Sequence, residues 1–165
     1  MAHAYAAHDR RAGSTAEPEG KSGVAEVTAA LLTRGTTTRS AEEIADAIGF
    51  VGGQLDAAAS SEGVGITTVV LTESLDTGLA LLADVVLRPT FPEAELERLR
   101  TRMLSTLELQ LSQPDALVER RFQQEIFGAH PYGRVMTPTA VRSLTRADVA
   151  QFHKNHYRPR TRSSS

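Results

Sequence analysis

Between Ser22 and Arg34 apolar side chains recur at helical spacing: Val24, Val27 and Leu31, widened by Ala25, Ala29 and Leu32, with Gly35 placed as a C-terminal stop. A second helix starts at Ser40, whose hydroxyl can cap it while Glu43 reaches back as a capping box. Ile44, Ala45, Ile48 and Val51 form its stripe, and Gly52-Gly53 ends the pattern. From Gln54 the period becomes two. Leu55 to Ser60 and Val64 to Leu71 alternate as strands, and Ser61-Glu62-Gly63 joins them in a hairpin.

Helical spacing returns with Leu75, Leu79, Leu82 and Val86, and Pro89 stops it. Pro92 opens a long helix along Leu96, Leu99, Met103, Leu107 and Leu111, whose Glu93, Glu95, Glu97, Arg98, Arg100 and Arg102 read as a solvated face. Pro114 opens the next helix, carrying Leu117, Val118, Phe122 and Ile126 to a stop at Gly128. After the turn-forming stretch 129–134, Thr145 and Asp148 look like a capping pair for a last helix through Phe152 to about Tyr157. Residues 1–20 lack either period, and residues 158–165 carry no core pattern. The domain expectation is a tail over 1–12, a single unit over 13–159, and a tail over 160–165. Two strands among five or more helices are too few, so the sheet should recruit a strand from the N-terminal segment or from another chain.

Composition narrows the function classes. The chain has 165 residues with a net charge of −2 and no cysteine. One domain with a real core fits that length, disulfides and thiolate chemistry are excluded, and no basic cluster marks a nucleic-acid surface. The longest apolar runs fall short of a membrane span, and residues 1–20 have no hydrophobic centre of the signal-peptide kind. As written the chain is expected in the cytoplasm, with the periplasm open if a native N-terminus precedes it. His3 and His8 are read as tail residues that bind nothing. No Gly-x-Ser-x-Gly elbow, phosphate loop or dinucleotide fingerprint occurs.

Several local motifs follow one another in order: Gly13-Ser14 with Glu17-Pro18, Gly23-Val24-Ala25, Gly35-Thr36 with Arg39-Ser40-Ala41, and Gly52-Gly53 before the alternating strand. Pro89-Thr90-Phe91-Pro92 before Glu95 and Arg98, Gly128 with His130-Pro131-Tyr132-Gly133, and Phe152 with Tyr157 and Pro159 complete the series. In this succession the chain resembles the insulinase-like (pitrilysin / mitochondrial processing peptidase) metallopeptidases. The resemblance implies an α+β half-unit of two layers, a mostly antiparallel sheet covered by helices, of the LuxS/MPP-like metallohydrolase type. It further implies trimming at both ends, with family strands expected before Gly13 and after Pro159.

Active members of that family carry H-x-x-E-H on the first helix. Histidines at i and i+4 share one helical face and reach one zinc, and the glutamate takes a proton from the metal-bound water. Laid on this chain, the motif falls on Glu26, Ala29 and Ala30. Both histidines and the general base are missing, and alanine offers no lone pair. Glu108 falls near the family's third ligand and reads as a surface carboxylate once its partners are gone. His153 and His156 have a ligand spacing but lack a third donor nearby other than Asp148, and His130 is expected to cap or pack within its turn.

The resemblance therefore implies a non-catalytic subunit or domain with no catalytic, cofactor or metal residues of its own. It would enclose extended peptides together with a catalytic subunit of the same family, which holds the zinc. An architectural role in a processing-peptidase-like core, and a zinc peptidase using displaced ligands Glu26, Glu108, His153 and His156, are the alternatives. Self-association through open sheet edges is also expected.

Overall fold

The computed structural model describes residues 2–9, as a backbone strand, and residues 12–157. Three antiparallel strands, β1 (Ala2–Asp9), β2 (Gln54–Ala59) and β3 (Val64–Leu71), form one sheet in the order β1-β3-β2. The hairpin matches its alternating sequence, with Ala57 opposite Ile66. The strand β1 corrects the expectation of a tail before Gly13. It pairs along its whole length with β3, Tyr5 opposite Thr68, so backbone hydrogen bonding to a strand far along the chain supplies the order that its own sequence pattern does not. The tail and strand expectations beyond Tyr157 lie outside the described residues.

One sheet face is packed. Val64, Ile66, Thr68 and Val70 on β3 are buried, and Leu55, Ala57 and Ala59 on β2 pack against the same core. Against this face lie α1 (Val24–Leu31) and α3 (Leu75–Leu87), with α2 (Ala41–Phe50) beside α3. Gly78 lets α3 approach closely, since a Cβ there would lie 2.9 Å from a Val70 methyl. Along the opposite face, Gln54, Asp56 and Ala58 remain exposed.

The helix α1 is the centre of the core. Val24, Ala25, Val27, Ala29 and Leu31 are all buried, and the helix touches β2, β3, α4 (Glu93–Leu111) and α7 (Arg146–His156). It tightens into a 3-10 turn, Leu32–Arg34, before Gly35 at φ 140°. Both expected capping boxes form: Ser40 with Glu43, and Thr145 with Asp148. A short helix without a sequence period of its own, α6 (Pro138–Ser143), is capped by the Thr137 hydroxyl with proline in its first turn.

Two expectations about side chains change. Arg100 is not a solvated residue: its guanidinium donates to the Leu144 carbonyl and pairs with Glu97, tying α4 to the start of α7. The helix α5 (Pro114–Phe127) buries none of its residues, so Leu117 is left exposed and Val118, Phe122 and Ile126 form a stripe that faces away from the core. Periodicity identifies an apolar face without saying what lies opposite it.

The segment 35–40 is fastened to α3 by one carboxylate. Asp84 is buried, and its Oδ2 accepts from the Thr36 and Thr38 hydroxyls at 2.7 Å each and from Arg39 Nη1 at 2.8 Å. Its Oδ1 faces Arg88 Nε at 2.9 Å. Burial alone would raise the Asp84 pKa, but these hydroxyls and guanidinium groups outweigh it and hold the carboxyl below the usual carboxylate range. A similar capping carboxylate, Asp148, binds Lys21 Nζ at 2.8 Å and joins α7 to the chain just before α1.

Candidate functional site

Beside the first turn of α1 runs a groove in two adjoining lobes of about 660 and 400 Å³, which share Ser14, Ser60, Ser61, Gln123 and Arg134. Its walls come from the end of β2, from α5 and from the turn 131–134. Glu17, Glu26 and Arg120 line the smaller lobe, and Phe127 and Tyr132 the larger. Each wall has its own fastening. Arg120 Nη2 donates to the Met136 carbonyl at 2.6 Å, and Gln123 Nε2 donates to the Tyr132 carbonyl at 2.7 Å. The Tyr132 hydroxyl donates to Glu62 Oε1 at 2.7 Å, a bond that raises the phenol's pKa. His130 caps this turn, as its position in the motif suggests, accepting the Tyr132 N–H on Nδ1.

Glu17 organises the α1 end of the groove. Its Oε1 accepts the backbone N–H groups of Gly23 and Ala25, both at 2.9 Å, so a buried carboxylate caps the helix where a Ser or Asp usually would. Gly23 takes φ 102°, a left-handed value that favours glycine, and so turns its N–H to that oxygen. Arg134 Nη1 donates to the Glu17 carbonyl at 2.7 Å and couples the cap to the turn after α5. Burial pushes the Glu17 pKa up to about 7, against the pull of the two N–H donors, and the negative charge of Glu26 adds to the rise. Sequence spacing gave no sign of this cap, because the carboxylate lies outside the capping-box interval.

The three motif positions diverge. Glu26 opens into the smaller lobe and has no hydrogen-bond or ion-pair partner among the described residues, and the surrounding protein strips enough water from its carboxyl to raise its pKa. Ala29 is sealed in the core and Ala30 is half-buried. Glu108 is not brought to them. It lies on the α6 side of α4, with Arg142 Nη2 3.6 Å from its carboxylate.

The paired histidines of α7 are also committed elsewhere. His153 Nε2 lies 2.8 Å from the Val86 carbonyl, so that nitrogen carries the proton and is closed to a metal. Its ring stacks on Tyr157 and meets Phe91 edge-on, and burial lowers its pKa. His156 packs on Phe152. The side chains of His3 and His8 lie outside the described residues. Among the described residues no three His, Cys, Asp or Glu side chains gather in a metal-binding group. A single carboxylate beside two alanines does not fit a zinc ion, which takes at least three protein ligands at a catalytic centre. No described helix is long and apolar enough to cross a membrane.

Comparison with known proteins bears on this geometry. Residues 7–139 match the family described as Insulinase (Peptidase family M16). The chain is 33% identical over 149 residues to an "uncharacterized zinc protease" of Mycobacterium leprae, covering 89% of this chain and 34% of that protein. It is 29% identical over 148 residues to the "probable mitochondrial-processing peptidase subunit beta" of Arabidopsis thaliana, covering 88% of this chain and 28% of that protein. The chain thus spans about a third of the length of these curated relatives. Among solved structures, a "peptidase M16 inactive domain" from Pseudomonas fluorescens superposes with a TM-score of 0.87 at 26% identity, covering 92% of this chain and 37% of that one. A protease from Helicobacter pylori shares the fold, with a TM-score of 0.86 at 22% identity over 94% of this chain and 38% of the other.

Proposed function

Because the chain belongs to the insulinase (M16) family of peptidases, we propose that it is a non-catalytic subunit or domain of such an enzyme, completing a peptide-enclosing chamber around a catalytic partner. The observation that carries this reading is the make-up of α1 at the groove. Glu26 shares the lobe with Glu17, whose carboxylate is taken up in capping the helix, Ala29 packs inward, and no three described His, Asp or Glu side chains gather there. Such a wall can bind a peptide but cannot activate water through zinc.

Peptide binding has a physical basis in the same place. In the sheet order β1-β3-β2, β2 is an edge strand among the described residues, and its last residue Ala59 runs with Ser60 and Ser61 into the groove. An extended peptide can add to that edge through main-chain hydrogen bonds, which gives affinity with little sequence selectivity. Serine hydroxyls, the Gln123 amide and the Phe127 ring along the groove suit a bound backbone with mixed side chains. Zinc and the proton-transfer glutamate come from the partner in this scheme.

The experiment mixes the chain with a family member that carries H-x-x-E-H. Co-elution is measured together with hydrolysis of an internally quenched, unstructured peptide. The expected result is a complex that cleaves the peptide faster than the partner alone, while the chain by itself cleaves nothing. Failure to form a complex together with no gain in rate overturns the proposal.

A further inference from the structure

We propose that α5 is a self-association surface, through which two copies of this chain pair antiparallel about a two-fold axis. The surface is separate from whatever the groove binds. Although α5 is ordered, it contributes nothing to the core: it runs for 14 residues and buries none of them. A helix of that length is marginal in water without tertiary packing. Two hydrogen bonds, from Arg120 and Gln123, hold it to the Met136 and Tyr132 carbonyls of the turn and loop that follow it.

The apolar stripe of α5 lies well round the helix from those two residues. Val118, Phe122 and Ile126 follow one another at intervals of four and are 68%, 59% and 57% exposed. One flank of the stripe carries an ion pair, Arg121 Nη2 to Glu125 Oε1 at 2.6 Å.

That flank is what selects the occupant. In an antiparallel helix pair related by a two-fold axis, like flanks face each other, and residues meet when their numbers share a constant sum. With the axis crossing at the level of Gln123, Arg121 meets Glu125 of the second copy and Glu125 meets its Arg121, giving two further ion pairs across the interface. In the same register the Val118, Phe122 and Ile126 side chains of the two copies interleave along the seam. Glu119, on the other flank, falls opposite Phe127, so no like charges are brought together. The stripe is therefore self-complementary in shape and charge. A helix face of about 20 Å length buries less than a standard interface, so the pairing belongs with weak, reversible ones.

Sedimentation velocity of the full chain, from about 1 to 300 µM, tests this. A reversible monomer–dimer equilibrium is expected. Phe122→Asp, at an exposed position outside the core, should keep the far-UV circular dichroism spectrum and raise the dimer dissociation constant at least about ten-fold. Arg121→Glu alone should weaken the dimer, and the double variant R121E/E125R should restore it to within about two-fold of the parent. A chain that stays monomeric throughout overturns the proposal. So does a dimer unmoved by Phe122→Asp, a charge exchange that fails to restore pairing, or a dimer lost on altering the open edge of β2 instead of α5.

Discussion

The Glu17 carboxylate accepts the backbone N–H of Ala25 at 2.9 Å, and Ala25 immediately precedes Glu26, the charged residue that α1 presents to the groove. Cap and wall are thereby one unit. Any change in the charge of Glu17 acts on the helix end that shapes the candidate site.

Folded Glu17 keeps its proton to about pH 7, against an ordinary value of 4.5. Between these values the folded chain binds more protons than the unfolded one. The stability from this group is therefore complete below pH 4.5 and is lost as the pH rises through 7. Glu17→Gln keeps an acceptor oxygen and cannot ionise. It should flatten the decline between about pH 5 and 8 by up to roughly 3 kcal/mol, read by urea denaturation at both values. Glu17→Ala removes the acceptor and should cost about 1–3 kcal/mol at about pH 5. Glu26 titrates in the same direction, so Glu26→Gln is the companion measurement; a Glu17→Gln profile that tracks the parent contradicts the assignment.

Asp84 should behave oppositely. Its folded pKa is depressed, so its contribution is present above the ordinary carboxylate range and is lost as the pH falls through the folded value. Asp84→Ala leaves Thr36, Thr38 and Arg39 without their shared acceptor and Arg88 without its ion-pair partner. A loss of about 3–5 kcal/mol is expected, while Thr36→Val, which removes one donor, should cost about 1 kcal/mol. Equal losses from the two variants would contradict the shared-acceptor description.

Gly13→Ala tests the seam between the N-terminal segment and the hairpin. A Cβ at this position would lie 2.4 Å from Gly63 N and Ser61 O, both backbone atoms. Because neither can swing aside as a side chain does, the variant should lose about 1–3 kcal/mol or more. Gly20→Ala, in open space but at φ 76°, serves as the comparison and should lose only the smaller cost of a left-handed alanine. The two midpoints in chemical denaturation decide it.

Local sequence carried most of the helices, because their signals are local. Ser40 with Glu43 and Thr145 with Asp148 announce their caps within four residues, and the alternation around Ser61-Glu62-Gly63 announces a hairpin. The strand β1 was hidden because alanines and histidines without a periodic pattern say nothing about a partner strand some sixty residues away, as in the pairing of Ala6 with Thr67. Helix α6 has only six residues, below the length at which a period shows. Glu17 and Asp84 act over distance. The one available hint was an aspartate set between the buried Leu81 and Val85, since a charge inside an apolar stripe needs partners. Family resemblance located Glu26, Ala29 and Ala30 on α1, and the structure adds that only Glu26 lines the groove.

A peptide-binding wall on α1 without a metal centre should be silent toward zinc. Calorimetric titration of zinc into the purified full chain is expected to show no one-to-one binding tighter than about 1 µM, with the melting temperature unchanged by a chelator. Stoichiometric zinc bound in the nanomolar range, and lost in Glu26→Gln or His153→Ala, would contradict it.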